Sequence, residues 1–255
     1  MPAVMAHMIP CYPDLATSRE IARALVAGGV TYLEIQFPYS DPAADGPVIQ
    51  AATAEALRQG FTPDTGWNFV ENLTRQEETP PVFVMSYAGL VYARGVDRFV
   101  REAADRGVAG VIVPDLPLDS DEGLQEAGRR YGVEVVPVIA FGAAPERIDL
   151  VHRSGSAFVY AALRRGITGS ETLIGPETIA FLRELQSSGA QVLAGFGVST
   201  PDQVRAVTEH AHAAVVGSAF VRVVGESLRQ GHGTPSEKVR ALASQLVGNG
   251  EPEMR

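Results

Sequence analysis

The chain has 255 residues, 45% hydrophobic and 20% charged, an ordinary globular balance with length enough for one large barrel domain or two small domains. Its formal net charge of −9 argues against general binding to nucleic acid or anionic membrane, both polyanions, yet leaves room for an anionic small molecule at a locally electropositive site. A single cysteine, Cys11, excludes an intramolecular disulfide and a Cys-clustered zinc site.

The five histidines, His7, His152, His210, His212 and His232, show no metal spacing; His210 and His212, read on a helix, point to different faces, so surface histidines are expected. Met1–Met5 lacks the basic start of a leader, and no apolar run approaches the ~20 residues of a membrane span. A cytoplasmic protein is the expectation.

Short apolar runs alternate with amphipathic stretches. Val4–Ile9 reads as the first strand and Ser18–Val26 as its helix, with Thr17 or Ser18 as the candidate N-cap. Leu33–Gln36 is the second strand, followed by helical pattern over Val48–Arg58 and Thr65–Asn72. Val82–Tyr87 is the third strand and Val96–Ala104 its helix; Gly110–Val113 is the fourth, with a helix from Asp121 to Arg130. Val133–Ile139 is the fifth, before a short helix over Pro145–His152; Ala157–Tyr160 is the sixth, before a long loop and a helix over Pro176–Leu185. Gln191–Ala194 and Ala213–Val216 are the seventh and eighth, with helices over Pro201–His210 and Pro235–Val247, and the tail after Gly248 is expected to fray.

Eight strand–helix pairs at this length predict a (β/α)8 TIM barrel, with residues 1–255 as one domain. Strands buried on both faces explain runs that are continuously apolar instead of alternating. An open doubly wound sheet is the alternative; against it, no Gly-x-Gly-x-x-Gly follows the first strand.

In such a barrel the site lies at the C-terminal ends of the strands. Glu34 ends an apolar strand, where a carboxylate is costly unless hydrogen-bonded or protonated, and Asp41 and Asp45 follow on the adjoining loop. Glu34 and a carboxylate of that loop, Asp41 or Asp45, are the candidate acid–base pair. Asp45 fits equally a cap of the helix beginning near Val48, and Asp41 a turn in Ser40-Asp41-Pro42. Arg164–Gly169 after the sixth strand is suited to a lid. Gly195–Ser199 after the seventh strand and Gly217–Phe220 after the eighth, the latter opening a short helix, stand where barrels bind phosphate through backbone N–H groups. Tyr87 and Tyr160 are placed to reach a ligand or to pack in the core, and Asp115 to brace the Asp41/Asp45 loop or a partner surface.

Together these motifs resemble the family of tryptophan synthase α subunits. The resemblance rests on Glu34 with Pro38–Gln50, Pro114–Pro117, Tyr160–Gly169, Gly195–Ser199 and Val216–Ala219, collinear over nearly the whole chain. It implies retro-aldol cleavage of indole-3-glycerol phosphate to indole and glyceraldehyde 3-phosphate, with no metal and no cofactor in this chain. It assigns proton transfer to Glu34 and binding of the indole N–H to Asp45. Tyr87 and Tyr160 would contact substrate, Phe196 would pack beside the ring, and Thr168 would pin the lid to the Asp45 loop. Backbone N–H groups of Gly169, Gly197, Gly217 and Ser218 would hold the phosphate. The resemblance also implies a β-subunit partner in an α2β2 complex; pyridoxal phosphate would belong to that partner.

The chain departs from the family pattern at Gln36 and Phe37, expected to reshape the pocket wall, and at Gly89, Leu163 and Phe141–Pro145. Gly89 and the lid bear on partnering more than on chemistry. The chain starts almost at its first strand, so the family's N-terminal helix is expected to be absent. Two alternatives stay open: a stand-alone lyase of secondary metabolism, and a weakly active allosteric partner of a β subunit.

Overall fold

The computed structural model of the chain describes residues 1–163, 174–195, 197–231 and 233–249. The elements run β1 (Val4–Met8), α1 (Leu15–Ala27), β2 (Tyr32–Gln36), α2 (Pro47–Arg58), α3 (Pro63–Thr74), β3 (Val82–Met85), α4 (Ala88–Arg94) and α5 (Val96–Asp105). They continue with β4 (Gly110–Ile112), α6 (Leu124–Tyr131), β5 (Glu134–Val136), β6 (Val138–Ala140), α7 (Pro145–Ser154), β7 (Phe158–Ala162) and α8 (Pro176–Gln186). The last are β8 (Gln191–Gly195), α9 (Pro201–Thr208), β9 (Ala213–Val216), α10 (Ser218–Gln230) and α11 (Pro235–Leu246). No helix among the described residues is long and apolar enough to cross a membrane.

All strand pairs are parallel, in the order β5-β4-β3-β2-β1-β9-β8-β7-β6. The first and last of these are two halves of one barrel strand. β5 pairs with β4 at Val111↔Val135, β6 pairs with β7 at Val138↔Tyr160, and the Pro137 carbonyl between them accepts Tyr160 N–H at 2.8 Å. Proline has no N–H to give the ladder, so the predicted fifth strand breaks there without opening the barrel. The doubly wound alternative is excluded, because β5 and β6, at the two ends of this order, are joined through Pro137 and so close the sheet on itself.

Side-chain alternation divides each strand between two cores. Met5, Phe83, Met85, Ile112, Val136, Tyr160, Leu193 and Val215 fill the barrel. Leu33, Ile35, Phe37, Val84, Val111 and Val192 face outward to the helices. Phe37 ends that outward series, packing against Phe61 and Trp67 at centroid distances of 5.6 and 4.9 Å. It therefore belongs to the helix layer and does not shape the pocket wall. Burying a side chain of this kind stabilises by about 1.5–3 kcal/mol.

Other departures have local causes. α1 starts at Leu15 because Asp14 is its cap, accepting Thr17 N–H at 2.8 Å, whereas Ser18 turns back to the Leu15 carbonyl. α4 escaped the sequence reading: it has seven residues, contains Gly89 and ends at Gly95 with φ 86°. α10 runs for 13 residues where a short helix was expected. His210 and His212 lie in the connection before β9, not on a helix.

Candidate active site

β1 and β2 run side by side with His7 opposite Glu34, and His7 Nδ1 lies 3.1 Å from Glu34 Oε2. Both side chains are buried, Glu34 at 3% exposure. The strand periodicity of two puts Glu34 and Gln36 on one face, directed to the barrel interior with Met5 and His7. His7 thus overturns the expectation of surface histidines, which holds for the exposed His152 and His212.

Burial alone would depress the His7 imidazole, but the hydrogen bond and charge of Glu34, with the Asp45 charge behind them, outweigh it and hold its pKa above the ordinary value. Nε2 of His7 is buried with no hydrogen-bond partner among the described residues. The other side of the ring meets backbone: a methyl placed on Gly217 would lie 3.4 Å from His7 Cβ and Cγ and 3.5 Å from Cδ2.

Asp45 stands on the loop between β2 and α2 and does not cap that helix; Gly46 occupies the cap position with no side-chain bond. Asp45 is turned inward instead. Its Oδ2 accepts the Gln36 amide at 2.7 Å and the Tyr87 hydroxyl at 2.9 Å, while Tyr87 itself accepts Ala44 N–H at 3.2 Å. Desolvation raises the Asp45 pKa despite the His7 charge and these two donors, and Glu34 adds to the rise. Burial also pushes the Tyr87 hydroxyl up, with Asp45 as both neighbour and acceptor. Oδ1 of Asp45 is the oxygen that these donors leave for a ligand, and Gln36 Oε1 is a second buried acceptor without a partner among the described residues.

Tyr160 is buried on β7 with its hydroxyl pKa far above ordinary, from desolvation and then the charges of Glu34 and Asp45. A methyl on Gly195 would sit 2.7 Å from that hydroxyl and 2.8 Å from Val215 Cβ, so glycine there makes room for the tyrosine. Gly197 follows with φ 96°, a left-handed conformation that glycine adopts freely. Gly217 precedes α10, whose N-terminus has no side-chain cap and opens with the N–H of Ser218. Such N–H groups suit an anion.

Thr168, Gly169 and Phe196 lie outside the described residues, as does the lid segment 164–169. Asp41 is exposed and bonded to Ser40, apart from the Glu34–Asp45 group. Asp115 turns to α4 instead of the Asp41/Asp45 loop: its Oδ1 accepts Ala88 N–H at 2.9 Å, at the start of that helix. The sequence reading missed the roles of His7 and Gln36 in this cluster. Alternation along β1 and β2 was the available signal, since it places both on the face that holds Glu34. No group of three His, Cys, Asp or Glu side chains among the described residues is arranged to hold a metal ion.

The model of a protein family described as "Tryptophan synthase alpha chain" matches residues 1–248. A tryptophan synthase alpha chain of Helicobacter hepaticus is 34% identical, over 97% of this chain and 96% of its own length. One from Prochlorococcus marinus is 38% identical over 86% of this chain and 80% of its own. Among solved structures, a Mycobacterium tuberculosis tryptophan synthase superposes with TM-score 0.86 at 30% identity, covering 97% of this chain and 92% of that one. A tryptophan synthase complex from Pyrococcus furiosus gives TM-score 0.85 at 28% identity, covering 96% and 98%.

Proposed function

The chain belongs to the tryptophan synthase alpha chain family, and from that premise we propose that it cleaves indole-3-glycerol phosphate to indole and glyceraldehyde 3-phosphate. The observation that carries this reading is the pair of buried carboxylates, Glu34 against His7 and Asp45 held by Gln36 and Tyr87.

The bond to be broken joins indole C3 to the side-chain carbinol carbon. Glu34 delivers a proton to C3, which places a positive charge on the ring. Asp45, held through Oδ2 by Gln36 and Tyr87, accepts the ring N–H on Oδ1 and stabilises that charge. As the bond breaks, its electrons return to the ring and the hydroxyl becomes the aldehyde carbonyl. The hydroxyl proton goes back to Glu34, so protons balance over the cycle. Tyr160 shapes the far wall, and the N–H groups at Gly197, Gly217 and Ser218 receive the phosphate. Gly169 joins them at the phosphate in this reading, Thr168 pins the lid to the Asp45 loop, and Phe196 packs beside the ring. The chemistry assigns no cofactor to this chain.

The reading includes a β-chain partner in an α2β2 assembly, which takes up the indole and holds the pyridoxal phosphate. Support comes from the complex found among the structural neighbours. The test is indole release from indole-3-glycerol phosphate by purified protein, alone and with a tryptophan synthase β chain, with Glu34→Gln as control. Activity that rises with β and drops about 10²–10⁴-fold in the variant is expected. No release in either setting overturns the reading; full release without β removes the partner from it.

A further inference from the structure

His7 is unexplained by the reaction as written, which needs only Glu34 to move protons. Three observations set it apart. Parallel register holds it directly across from Glu34, with a 3.1 Å contact between Nδ1 and Oε2. Its second ring nitrogen is buried without a partner among the described residues. Its ring packs against the backbone of Gly217, at the opening of α10. A histidine at such a place is costly to bury unless its charge state is used or compensated.

We propose, on the lyase reading above, that His7 is a positioning and proton-storing residue for Glu34, fixing its carboxylate and holding the proton that the cleavage lends to C3. At rest the pair is a Glu34 carboxylate and a His7 imidazolium. Nδ1 passes its proton to Oε2, and Glu34 delivers it to C3, leaving His7 neutral. When the C3–carbinol bond breaks, the hydroxyl proton passes to Glu34 and then to Nδ1. Nothing is consumed and the pair returns to its starting state.

The electrostatic setting gives the direction of the effect. Glu34 from β2 and Asp45 from the loop before α2 are the charges that act on His7. β9 and the start of α10, on the other side of β1, bring Gly217, which has no side chain to titrate. Burial opposes the charged imidazole, yet the two carboxylates prevail and its pKa lies above the ordinary value. The stored proton is therefore present below that raised pKa and lost as pH rises through it. Without His7 no imidazolium stands beside Oε2 to hold that proton.

His7→Gln separates storage from positioning, because the amide can still donate to Oε2 but has no proton that it can transfer. Its kcat is expected to fall about tenfold at pH 8, with the alkaline limb of the pH profile displaced downward by about one unit and KM nearly unchanged. His7→Phe, which loses both roles, falls further. ¹⁵N NMR of the imidazole reads the pair without turnover: His7 titrates above the ordinary value in the wild type and lower in Glu34→Gln, where only the Asp45 charge opposes burial. A wild type that releases indole while His7→Gln keeps its alkaline limb overturns the relay alone. A wild type that releases no indole overturns the lyase reading and the relay with it.

Discussion

The Tyr87 hydroxyl reaches from the end of β3 to donate to Asp45 Oδ2 at 2.9 Å, and the Tyr87 oxygen itself accepts Ala44 N–H at 3.2 Å. One side chain thus holds both the Asp45 carboxylate and the backbone just before it. Tyr87→Phe removes both bonds inside a buried site. A stability loss of about 1–3 kcal/mol is expected, since Ala44 N–H loses its partner and Asp45 loses one of two donors. The donor lost is one that favours the ionised carboxylate, so the acid limb of indole release moves to higher pH. Thermal unfolding and a pH–rate profile check the two halves separately; an unmoved acid limb would count against the Tyr87–Asp45 bond as a tuning contact.

Asp45→Asn should divide stability from activity. The folded-state pKa of Asp45 is raised, so the folded chain binds this proton more tightly than the unfolded chain does. Stability contributed by the protonated form is present at low pH and declines as pH rises through the raised pKa. In the proposed reaction activity runs the other way, because only the carboxylate would stabilise a ring cation. Asparagine keeps an acceptor for Gln36 and Tyr87 while carrying no charge. The variant is expected to melt at or above the wild-type temperature at neutral pH and to lose about 10²–10³-fold in kcat. A variant that melts lower with turnover intact would show that Asp45 is a structural anchor only.

The barrel was legible because parallel strands covered on both faces leave uninterrupted apolar runs, and eight such runs leave few architectures open. Glu34 stood out as a carboxylate inside one of those runs. His7 did not, because its meaning depends on a partner 27 residues away and on parallel register, which no local pattern encodes. Gln36 was seen as unusual, but the Asp45 contact that gives it a role crosses a loop. Phe37 was misread for the opposite reason: one step of alternation was not counted, and that step turns it outward toward Trp67. α4 hid behind its length and its glycine.

That glycine has a steric reason. A side chain at Gly89 would occupy the space of the Tyr39 hydroxyl, and its methyl would lie 2.9 Å from Tyr39 Cζ. Tyr39 in turn stacks on Tyr87 at 5.4 Å with the rings 20° apart. Gly89→Ala is expected to destabilise by about 1–3 kcal/mol through this overpacking. In a Tyr39→Ala background the same change should become favourable by about 0.5–1 kcal/mol, because alanine is the better helix residue. Chemical denaturation of the four proteins closes the cycle. A Gly89→Ala effect of the same sign in both backgrounds would rule out Tyr39 as the cause.

The phosphate assignment predicts a substitution that changes binding and leaves the fold alone. Gly217 has φ −116° and ψ −75°, with φ in the range that any residue adopts, and the three atoms nearest an added methyl all belong to His7, at ordinary van der Waals distances from 3.4 Å. Gly217→Ala therefore folds with a melting temperature close to wild type. The methyl would stand at the uncapped opening of α10, where backbone N–H groups are proposed to receive the phosphate. A KM for indole-3-glycerol phosphate raised about tenfold, with kcat far less affected, is the expected result, equivalent to about 1.4 kcal/mol of binding. Glycerol 3-phosphate should inhibit the variant more weakly by a similar factor, since it carries the phosphate and none of the ring. Gly197→Ala offers the contrast: at φ 96° alanine is strained, so that variant loses stability whether or not the phosphate binds there. An unchanged KM and unchanged glycerol 3-phosphate inhibition in Gly217→Ala would move the phosphate away from the opening of α10.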